Sequence, residues 1–92
     1  MIRSFRTKET ELLFRLRRSR RWSSIERPAL RKLVQLDLAA VLEDMRVPPG
    51  NMLEPLHGDR KGQWSIRIND QFRICFRWTV DGPEDVEIVD YH

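Results

Sequence analysis

The sequence predicts an α+β domain in which two N-terminal helices pack on a small, mostly antiparallel β-sheet. In the first half of the chain, apolar residues recur at three- and four-residue steps, the period of a helix with one buried face. In the second half, apolar and polar residues alternate, the period of strands with one buried face. A chain of 92 residues, 40% of them hydrophobic, is long enough for one core, so a single domain spanning residues 1–92 is predicted.

The N-terminal part is predicted to contain a short strand and a helix. Residues 2–5 are the strand candidate. Thr7 can cap the helix that follows, and Glu9 in its first turn suits the positive end of the helix dipole. The apolar stripe that this helix is predicted to bury consists of Leu12, Leu13 and Leu16.

A longer second helix is predicted to begin at Ser23 or Ser24. Ser23 and Glu26 have the spacing of a capping box, which satisfies the free N–H groups at a helix start. Apolar residues then recur at helical steps as far as Met45. The prolines within residues 47–50 are predicted to end this helix.

Three segments with alternating apolar and polar residues are predicted strands, namely residues 64–68, 72–78 and 86–89. Asn69 and Asp70 supply turn residues between the first two, and residues 81–83 make the next turn. Because short turns join antiparallel neighbours, these strands are predicted to form a meander whose apolar face the helices cover.

The opposite face of the predicted sheet carries a row of arginines, which consists of Arg67, Arg73 and Arg77. Like charges on adjacent strands repel one another, so an anion between the arginines would explain the row. Arg73 lies in the middle of the predicted central strand, and a guanidinium suits phosphate through paired hydrogen bonds. The alternative is ordinary surface charge, relieved by Glu87 on the next strand.

Positive charge is concentrated in the N-terminal half. Residues 1–46 contain twelve Lys or Arg and six Asp or Glu, whereas residues 47–92 contain five and eight. Five basic residues lie close together, namely Arg15, Arg17, Arg18, Arg20 and Arg21. This run predicts contact with a polyanion such as nucleic acid; the alternative is a solvated helix end and loop. Trp22 could stack on a base, but its large apolar surface favours packing in the core.

The glycine-bordered segment 53–62 is a candidate active-site loop. It contains five titratable residues, which are Glu54, His57, Asp59, Arg60 and Lys61. Titratable groups on a loop that a rigid sheet holds in place are good candidates for chemistry. The alternative is a polar connection between strands in which Asp59 and Arg60 pair.

The chain ends on a carboxylate, a phenol and an imidazole, those of Asp90, Tyr91 and His92. If the preceding strand belongs to the sheet, these groups are held in place and can form an acid–base cluster at neutral pH. The alternative is an untethered polar tail.

The composition argues against several classes of protein. Cys75 is the only cysteine, which excludes an internal disulfide and the usual zinc sites, and its thiol is predicted to be buried or half-buried without a catalytic role. There is no GxGxxG or Walker pattern, so no nucleotide cofactor is expected. No signal peptide or membrane-spanning stretch is recognisable, and together with the lone cysteine this favours a cytoplasmic location.

Segments 53–73 and 86–92 strongly resemble the HigB toxins, which are members of the RelE superfamily of bacterial toxin–antitoxin systems. The specificity of the resemblance lies in three motifs that occur together and in order, namely Gly58-Asp59-Arg60-x-Gly62-x-Trp64-Ser65-Ile66, Arg73-Ile74-x-Phe76 and Asp90-Tyr91-His92. The N-terminal residues and the leucine-rich second helix fit as well, so the resemblance covers essentially the whole chain.

The resemblance implies a RelE-like fold and a ribosome-dependent mRNA endonuclease that inhibits translation. The family cleaves mRNA in the ribosomal A site without a metal or another cofactor. The ribose 2′-hydroxyl attacks its neighbouring phosphate, which leaves a 2′,3′-cyclic phosphate. The implied partners are a HigA-like helix-turn-helix antitoxin, in a hetero-oligomeric complex, and the ribosome with its rRNA and mRNA, but no membrane.

The resemblance also implies catalytic residues. Asp90, Tyr91 and His92 fall on the C-terminal active-site residues of the family, and Arg73 falls on its strand arginine. An imidazole titrates near neutrality, so His92 suits an acid–base role. Arg73 would hold the phosphate in the transition state, and Tyr91 would stack on a base or orient the phosphate.

Two positions depart from the family pattern. His57 falls where members usually carry Lys, and Glu54 falls where some carry His. Either side chain can therefore be the general base. The residues predicted to contact RNA are Arg60, Lys61, Arg67, Arg77, Arg17, Arg18, Arg20 and Arg21.

A rival interpretation is a catalytically inactive RelE/ParE-like binding module that acts on DNA gyrase. The presence of Arg73 and of the three C-terminal residues argues against it, whereas the departures at positions 54 and 57 favour it. A third interpretation is a regulator that binds nucleic acid through its basic half.

Overall fold

The computed structural model describes residues 1–91, and within them the chain is a mixed α/β structure. This range contains the α-helices α1 (Lys8–Leu16) and α2 (Glu26–Leu38) and the strands β1 (Glu54–Pro55), β2 (Trp64–Arg67), β3 (Phe72–Thr79) and β4 (Gly82–Asp90). It also contains short 3₁₀ helices at Ser23–Ile25, Leu42–Arg46, Pro49–Asn51 and Gly58–Arg60. The strands form one antiparallel sheet in the order β1-β2-β3-β4, so the predicted meander is confirmed and β3 is an inner strand.

The N-terminal residues run along β4 instead of forming the predicted strand at residues 2–5. Phe5 makes an isolated parallel bridge with Val86. The N–H of Arg3 donates to the carbonyl of Pro83 at 2.7 Å, and the N–H of Arg6 donates to the carbonyl of Val86 at 2.9 Å. This pairing covers part of the outer edge of β4, which limits its exposure as an open sheet edge.

Helix α1 begins as predicted, but the stripe that it buries is different. Thr7 is its N-cap, and the Thr7 hydroxyl accepts a hydrogen bond from the N–H of Thr10 at 3.4 Å. Of the three predicted leucines only Leu13 is buried, whereas Leu12 is 40% and Leu16 is 63% exposed. The reason is that α1 docks through Thr10 and Leu13, and the Thr10 hydroxyl accepts a hydrogen bond from the N–H of Ile88 in β4.

Helix α2 begins at Glu26, later than predicted from the capping-box pattern. Ser23–Ile25 forms a 3₁₀ helix, and Ile25 occupies the N-cap position without a side-chain hydrogen bond. The predicted box does not form because the Glu26 carboxylate accepts from the N–H of Ser19 at 2.8 Å. Glu26 therefore ties the preceding arginine-rich segment to the start of α2.

Helix α2 also ends earlier than predicted, at Leu38 and not at Met45. Ala39 is extended, and the Asp44 carboxylate accepts from the N–H groups of Ala40 and Val41 at 2.8 and 3.2 Å. Met45 is nevertheless fully buried, because the 3₁₀ helix Leu42–Arg46 returns it to the core. The apolar residues after Leu38 keep helical spacing although they belong to a separate 3₁₀ helix. For this reason the periodicity of the sequence predicted a helix that is too long.

The core lies between the helices and one face of the sheet. The sheet contributes Ile66, Ile74, Phe76 and Ile88, and the helices contribute buried residues that include Leu13, Leu33 and Leu36. Trp22 belongs to the same core and is 5% exposed, which confirms that it packs and does not present its ring to a base. No helix within residues 1–91 is long and apolar enough to cross a membrane.

Asn51 holds the connection after α2 against that helix. Its side chain is fully buried, and the Lys32 ammonium group donates to its Oδ1 atom. Desolvation by burial lowers the pKa of Lys32. The Nδ2 group of Asn51 donates to Gln35 Oε1 at 3.2 Å, to the carbonyl of Met45 at 3.1 Å and to the carbonyl of Val47 at 3.3 Å.

Replacing this amide is expected to destabilise the chain. Asn51→Ala leaves the buried carbonyl of Met45 and three partly buried polar groups without this partner, which costs about 3 kcal/mol of unfolding free energy. The control is Asn69→Ala, since the Asn69 carboxamide only accepts two turn N–H groups near the surface and its loss costs about 1 kcal/mol. Urea unfolding of both variants measures the difference, and equal losses would contradict the structural role given to Asn51.

Candidate active site

A row of four residues crosses the sheet on the face opposite the core. Strand register places Glu54 opposite Ser65, Ser65 opposite Cys75, and Cys75 opposite Glu87. Residues that are paired in this way point to the same face of a sheet. Arg73, two residues before Cys75, belongs to the same face. This face, which we call the active face, therefore combines two carboxylates, a hydroxyl, a thiol and a guanidinium.

Arg73 lies at the centre of this face and is almost entirely buried, with 7% of its surface exposed. Its Nη1 atom donates to Ser65 Oγ at 2.8 Å and to Glu54 Oε1. Its guanidinium carbon lies 5.4 Å from the centre of the Tyr91 ring, a cation–π distance. A buried cation needs such partners, and here they fix the guanidinium in one place on a rigid strand.

A second guanidinium, that of Arg60, is held by Glu87. Arg60 Nη1 donates to Glu87 Oε1 at 2.8 Å and to Gln63 Oε1 at 3.1 Å. Arg6 Nε lies 3.7 Å from the same Glu87 oxygen, so two cations flank a carboxylate that is 7% exposed. The hydrogen bond to Glu87 raises the pKa of Arg60. The alternative prediction that Asp59 is the partner of Arg60 is wrong.

Cys75 is paired with Ser65 on one side and with Glu87 on the other, so it lies between the partners of Arg73 and Arg60. Desolvation by burial raises the pKa of its thiol, while the charges of Arg60 and Arg73 act in the opposite direction. The pKa of Arg60 also responds to the charges of Cys75 and Tyr91. Arg60 and Arg73 therefore both act on the Cys75 thiol, and the prediction that this thiol is buried or half-buried is confirmed.

The C-terminal tail is attached to the sheet as far as Tyr91. The N–H of Tyr91 donates to the carbonyl of Gln71 at 2.6 Å, and the Gln71 amide donates to Asp90 Oδ2 at 3.0 Å. Tyr91 keeps 43% of its surface exposed beside Arg73, so its ring is accessible. Asp90 pairs with Phe72 and by strand alternation points away from the face of Arg73. The predicted site residue His92 lies outside the described residues.

The two predicted candidates for the base lie in different surroundings. Glu54 is part of β1, a strand that sequence reasoning did not foresee, and its half-exposed carboxylate contacts Arg73. His57 is exposed just before the 3₁₀ helix Gly58–Arg60, and within residues 1–91 its side chain has no hydrogen bond or ion pair. The structure therefore joins Glu54 to Arg73 and leaves His57 apart. Lys61 is likewise exposed.

The other arginines of the predicted row also have carboxylate partners. Arg67 Nη2 pairs with Asp70, and Arg77 Nε lies 3.5 Å from Asp85 Oδ2. Intramolecular carboxylates thus balance the arginines, as in the surface-charge alternative, although the partner of Arg73 is Glu54 and not Glu87. Both Arg67 and Arg77 remain partly exposed, so their predicted contact with RNA stays a prediction.

The arginine-rich segment is partly neutralised by α1. Two ion pairs form, Arg15–Glu11 at 2.9 Å and Arg21–Glu9 at 2.8 Å. Arg17 ends α1 with φ 64°, and its guanidinium carbon lies 5.2 Å from the centre of the Phe14 ring. Arg18 and Arg20 are exposed beside a cleft along α1. Their predicted contact with RNA also stays a prediction.

Sequence reasoning missed Ser65 and Gln63 as parts of this site. Both are buried polar residues, and both accept a hydrogen bond from an arginine of the active face. A signal was present for Ser65, because it is a polar residue between Trp64 and Ile66 in a strand that otherwise reads as buried. Among residues 1–91, no group of three or more His, Cys, Asp or Glu side chains is positioned to hold a metal ion.

Comparison with known proteins places these features in a family. Residues 3–92 match the model of a family described as RelE-like toxin of type II toxin-antitoxin system HigB. The curated protein Toxin HigB-1 of Vibrio cholerae serotype O1 is 53% identical over 60 residues, which cover 65% of this chain and 62% of that relative. The match therefore spans less than two thirds of the relative's length.

A solved structure supports the fold. The YoeB/ParE toxin from Agrobacterium tumefaciens superimposes with a TM-score of 0.52, covers 98% of each chain and is 22% identical in sequence. At this identity the likeness concerns the arrangement of helices and strands, and it is consistent with the predicted RelE-like architecture.

The burial of Cys75 predicts a loss of stability at high pH. Burial raises the pKa of the folded thiol, so above about pH 8.5 the unfolded chain releases a proton that the folded chain retains. The free energy of unfolding then falls by up to about 1.4 kcal/mol per pH unit. Urea unfolding between pH 7 and 10 is expected to show this fall for the wild type relative to Cys75→Ala, and parallel pH profiles would contradict it.

Proposed function

We propose that this chain, which belongs to the RelE-like toxins of type II toxin–antitoxin systems in the HigB family, is an endoribonuclease that cleaves mRNA on the ribosome. The observation that carries the proposal is the group formed by Arg73, Glu54 and Tyr91 on the face of the sheet opposite the core. It combines a fixed cation that can bind a phosphate, a carboxylate that can accept a proton and an accessible aromatic ring on which a base can stack.

The proposed reaction is an internal transfer of the phosphoryl group. A base removes the proton of the ribose 2′-hydroxyl, and the 2′-oxygen attacks the adjacent phosphorus. The bond from phosphorus to the 5′-oxygen of the next nucleotide breaks, and an acid protonates that oxygen. The products are a 2′,3′-cyclic phosphate and a 5′-hydroxyl, so no water and no metal enters the balance.

Arg73 is proposed to hold the phosphate that is cleaved. Its guanidinium cannot lose its charge, and its position on an inner strand fixes where the negative charge is stabilised. In the free chain the Glu54 carboxylate and the Ser65 hydroxyl occupy Nη1 of this guanidinium. An arriving phosphate competes with Glu54 for Arg73, because both are oxyanions that a guanidinium binds.

Glu54 is the proposed general base. Once the phosphate engages Arg73, the displaced carboxylate lies beside the reacting ribose, within reach of the 2′-hydroxyl. The contact between Glu54 and Arg73 supports this choice, whereas the exposed position of His57 makes it the second candidate.

The C-terminal residues supply the remaining proposed roles. His92 is proposed as the acid that protonates the 5′-oxygen, since an imidazole titrates near neutral pH. Tyr91 is proposed to stack on a base next to the cleaved bond, which its exposed ring beside Arg73 supports. Asp90 is proposed to orient the tail, and its hydrogen bond with Gln71 supports that role.

The proposed RNA contacts surround this group. Arg60 is held in place by Glu87, and Lys61 follows it on the surface. Arg67 and Arg77 are partly exposed on β2 and β3 and can exchange their carboxylate partners for phosphates. These few side chains contact only a short stretch of RNA, so the ribosome is proposed to hold the mRNA in position in its A site.

The proposed partners follow from membership of the family. A HigA-like antitoxin is proposed to neutralise the chain in a hetero-oligomeric complex. Because the proposed substrate is ribosome-bound mRNA, the proposed place of action is the cytoplasm.

Primer extension tests the function directly. Ribosomes loaded with a defined mRNA are incubated with the purified chain, and we expect new 5′ ends at codon-spaced positions and cyclic phosphates on the upstream fragments.

A variant tests the role of Arg73 in the same assay. Arg73→Lys keeps the positive charge but loses the planar pair of N–H donors that binds two phosphate oxygens, so cleavage is expected to slow about 10- to 100-fold. Arg46→Lys, on a surface arginine paired with Glu43, is the matched control and should cleave at the wild-type rate. Absence of cuts together with DNA damage in expressing cells would favour the gyrase interpretation.

A pair of isosteric changes tests the assignment of the base. Glu54→Gln keeps the shape of the side chain but removes the basic oxygen, so the single-turnover cleavage rate is expected to fall about 100-fold or more. His57→Gln is expected to change that rate less than threefold. The reverse ranking of the two variants would assign the base to His57.

A further inference from the structure

An apolar cleft lies along the exposed side of α1, where the arginine-rich segment folds back beside the helix. Its volume is about 650 Å³. Its lining includes three leucines, which we call its floor, and five charged residues, which we call its rim; these are Leu12, Leu13 and Leu16, and Arg18, Arg20, Arg21, Glu9 and Glu26. We call this feature the α1 cleft. The proposed mRNA chemistry makes no use of it, because Arg73, Glu54 and Tyr91 do not line it.

The floor of the α1 cleft is more exposed than the fold requires. Leu12 and Leu16 are one helical turn apart and are 40% and 63% exposed. Helix α1 docks on the sheet through Thr10 and Leu13, so the two exposed leucines are not needed to attach it. Adjacent exposed leucines at helical spacing gain free energy when a partner covers them, and they are typical of a groove that receives apolar side chains.

The rim of the α1 cleft carries positive charge that the chain does not neutralise. Glu9 pairs with Arg21, and the Glu26 carboxylate accepts the N–H of Ser19. In the part of the chain that the structure describes, the arginine-rich segment forms ion pairs through Arg15 and Arg21, whereas neither Arg18 nor Arg20 forms one. A ligand that fits this cleft therefore has apolar side chains in its middle and acidic side chains at its edges.

We propose that the α1 cleft binds an acidic amphipathic segment of the antitoxin. This inference rests on the proposed toxin–antitoxin partnership, and it names the surface on which the partner docks. Apolar side chains of the segment would cover Leu12 and Leu16, while its carboxylates pair with Arg18 and Arg20. The segment is thus recognised by the combination of aliphatic floor and basic rim.

Two other occupants fit the α1 cleft less well. RNA bases stack on aromatic rings, whereas this floor is aliphatic and the nearby Trp22 is buried in the core. A second copy of the chain would bring two basic rims together, and like charges across an interface oppose association. An acidic and apolar peptide satisfies both the floor and the rim.

The experiment measures binding of the antitoxin encoded next to the toxin gene. The complex is purified after co-expression, the toxin is separated and refolded, and Kd is determined by calorimetry. Leu12→Ser/Leu16→Ser is expected to raise Kd roughly 100-fold, about tenfold for each leucine. Thermal unfolding and mRNA cleavage by this variant should match the wild type, because neither leucine is in the core or on the active face. The control is Leu38→Ser, a leucine that is 76% exposed outside the cleft, and it should leave Kd unchanged.

The rim is tested by reversing its charge. Arg18→Glu/Arg20→Glu is expected to raise Kd more than tenfold, whereas Arg18→Lys/Arg20→Lys keeps the charge and should change Kd less than threefold. Equal effects of the two double variants would contradict recognition of acidic side chains.

Several outcomes would overturn the inference. The first is an unchanged Kd for Leu12→Ser/Leu16→Ser. The second is loss of co-sedimentation with ribosomes in that variant while antitoxin binding persists, which would make the cleft an RNA surface. The third is a wild-type dimer in light scattering that the same variant dissociates. A chain that binds the antitoxin through the cleft but cuts no mRNA would sustain the inference and remove only the proposed endonuclease function.

Discussion

A guanidinium removed almost entirely from water must be surrounded by acceptors, and the active face is organised around this requirement at Arg73. The two-residue strand β1 brings a carboxylate to it, β2 brings the Ser65 hydroxyl, and the tethered tail lays the ring of Tyr91 near it. Each partner comes from a different part of the chain, so the geometry exists only when the whole sheet is assembled. The same contacts that stabilise the buried charge also fix the position at which a phosphate is proposed to bind.

The sequence predicted the sheet better than the helices. Alternation through β2 and β3, with turn residues between them, determined both the pairing and the face on which Arg73 lies. Strand β1 was missed because two residues are too few for any period, and its pairing depends on β2. The length of α2 was misjudged because Met45 enters the core from a separate 3₁₀ helix, and local periodicity cannot tell that from a longer helix. The partners of Arg60 and Arg73 depend on long-range contacts, which no local pattern encodes.

The arginines of this chain lie in two different electrostatic environments. On the sheet, Arg67, Arg73 and Arg77 have carboxylate partners, so a bound phosphate must exchange with a group of the chain. Beside α1, Arg18 and Arg20 line a cleft that also contains three leucines, and within residues 1–91 neither arginine forms an ion pair with a carboxylate. Net charge alone cannot distinguish these cases, since an arginine contributes equally to the composition in both. The surroundings of each guanidinium decide what it can bind.

Strand β4 pairs with β3 and, through Val86, with Phe5 of the N-terminal residues. Glu87 in this strand holds Arg60, and Tyr91 directly after it lies beside Arg73. A local opening of β4 would therefore loosen both guanidiniums together, so the rigidity of the active face depends on a strand that carries neither arginine.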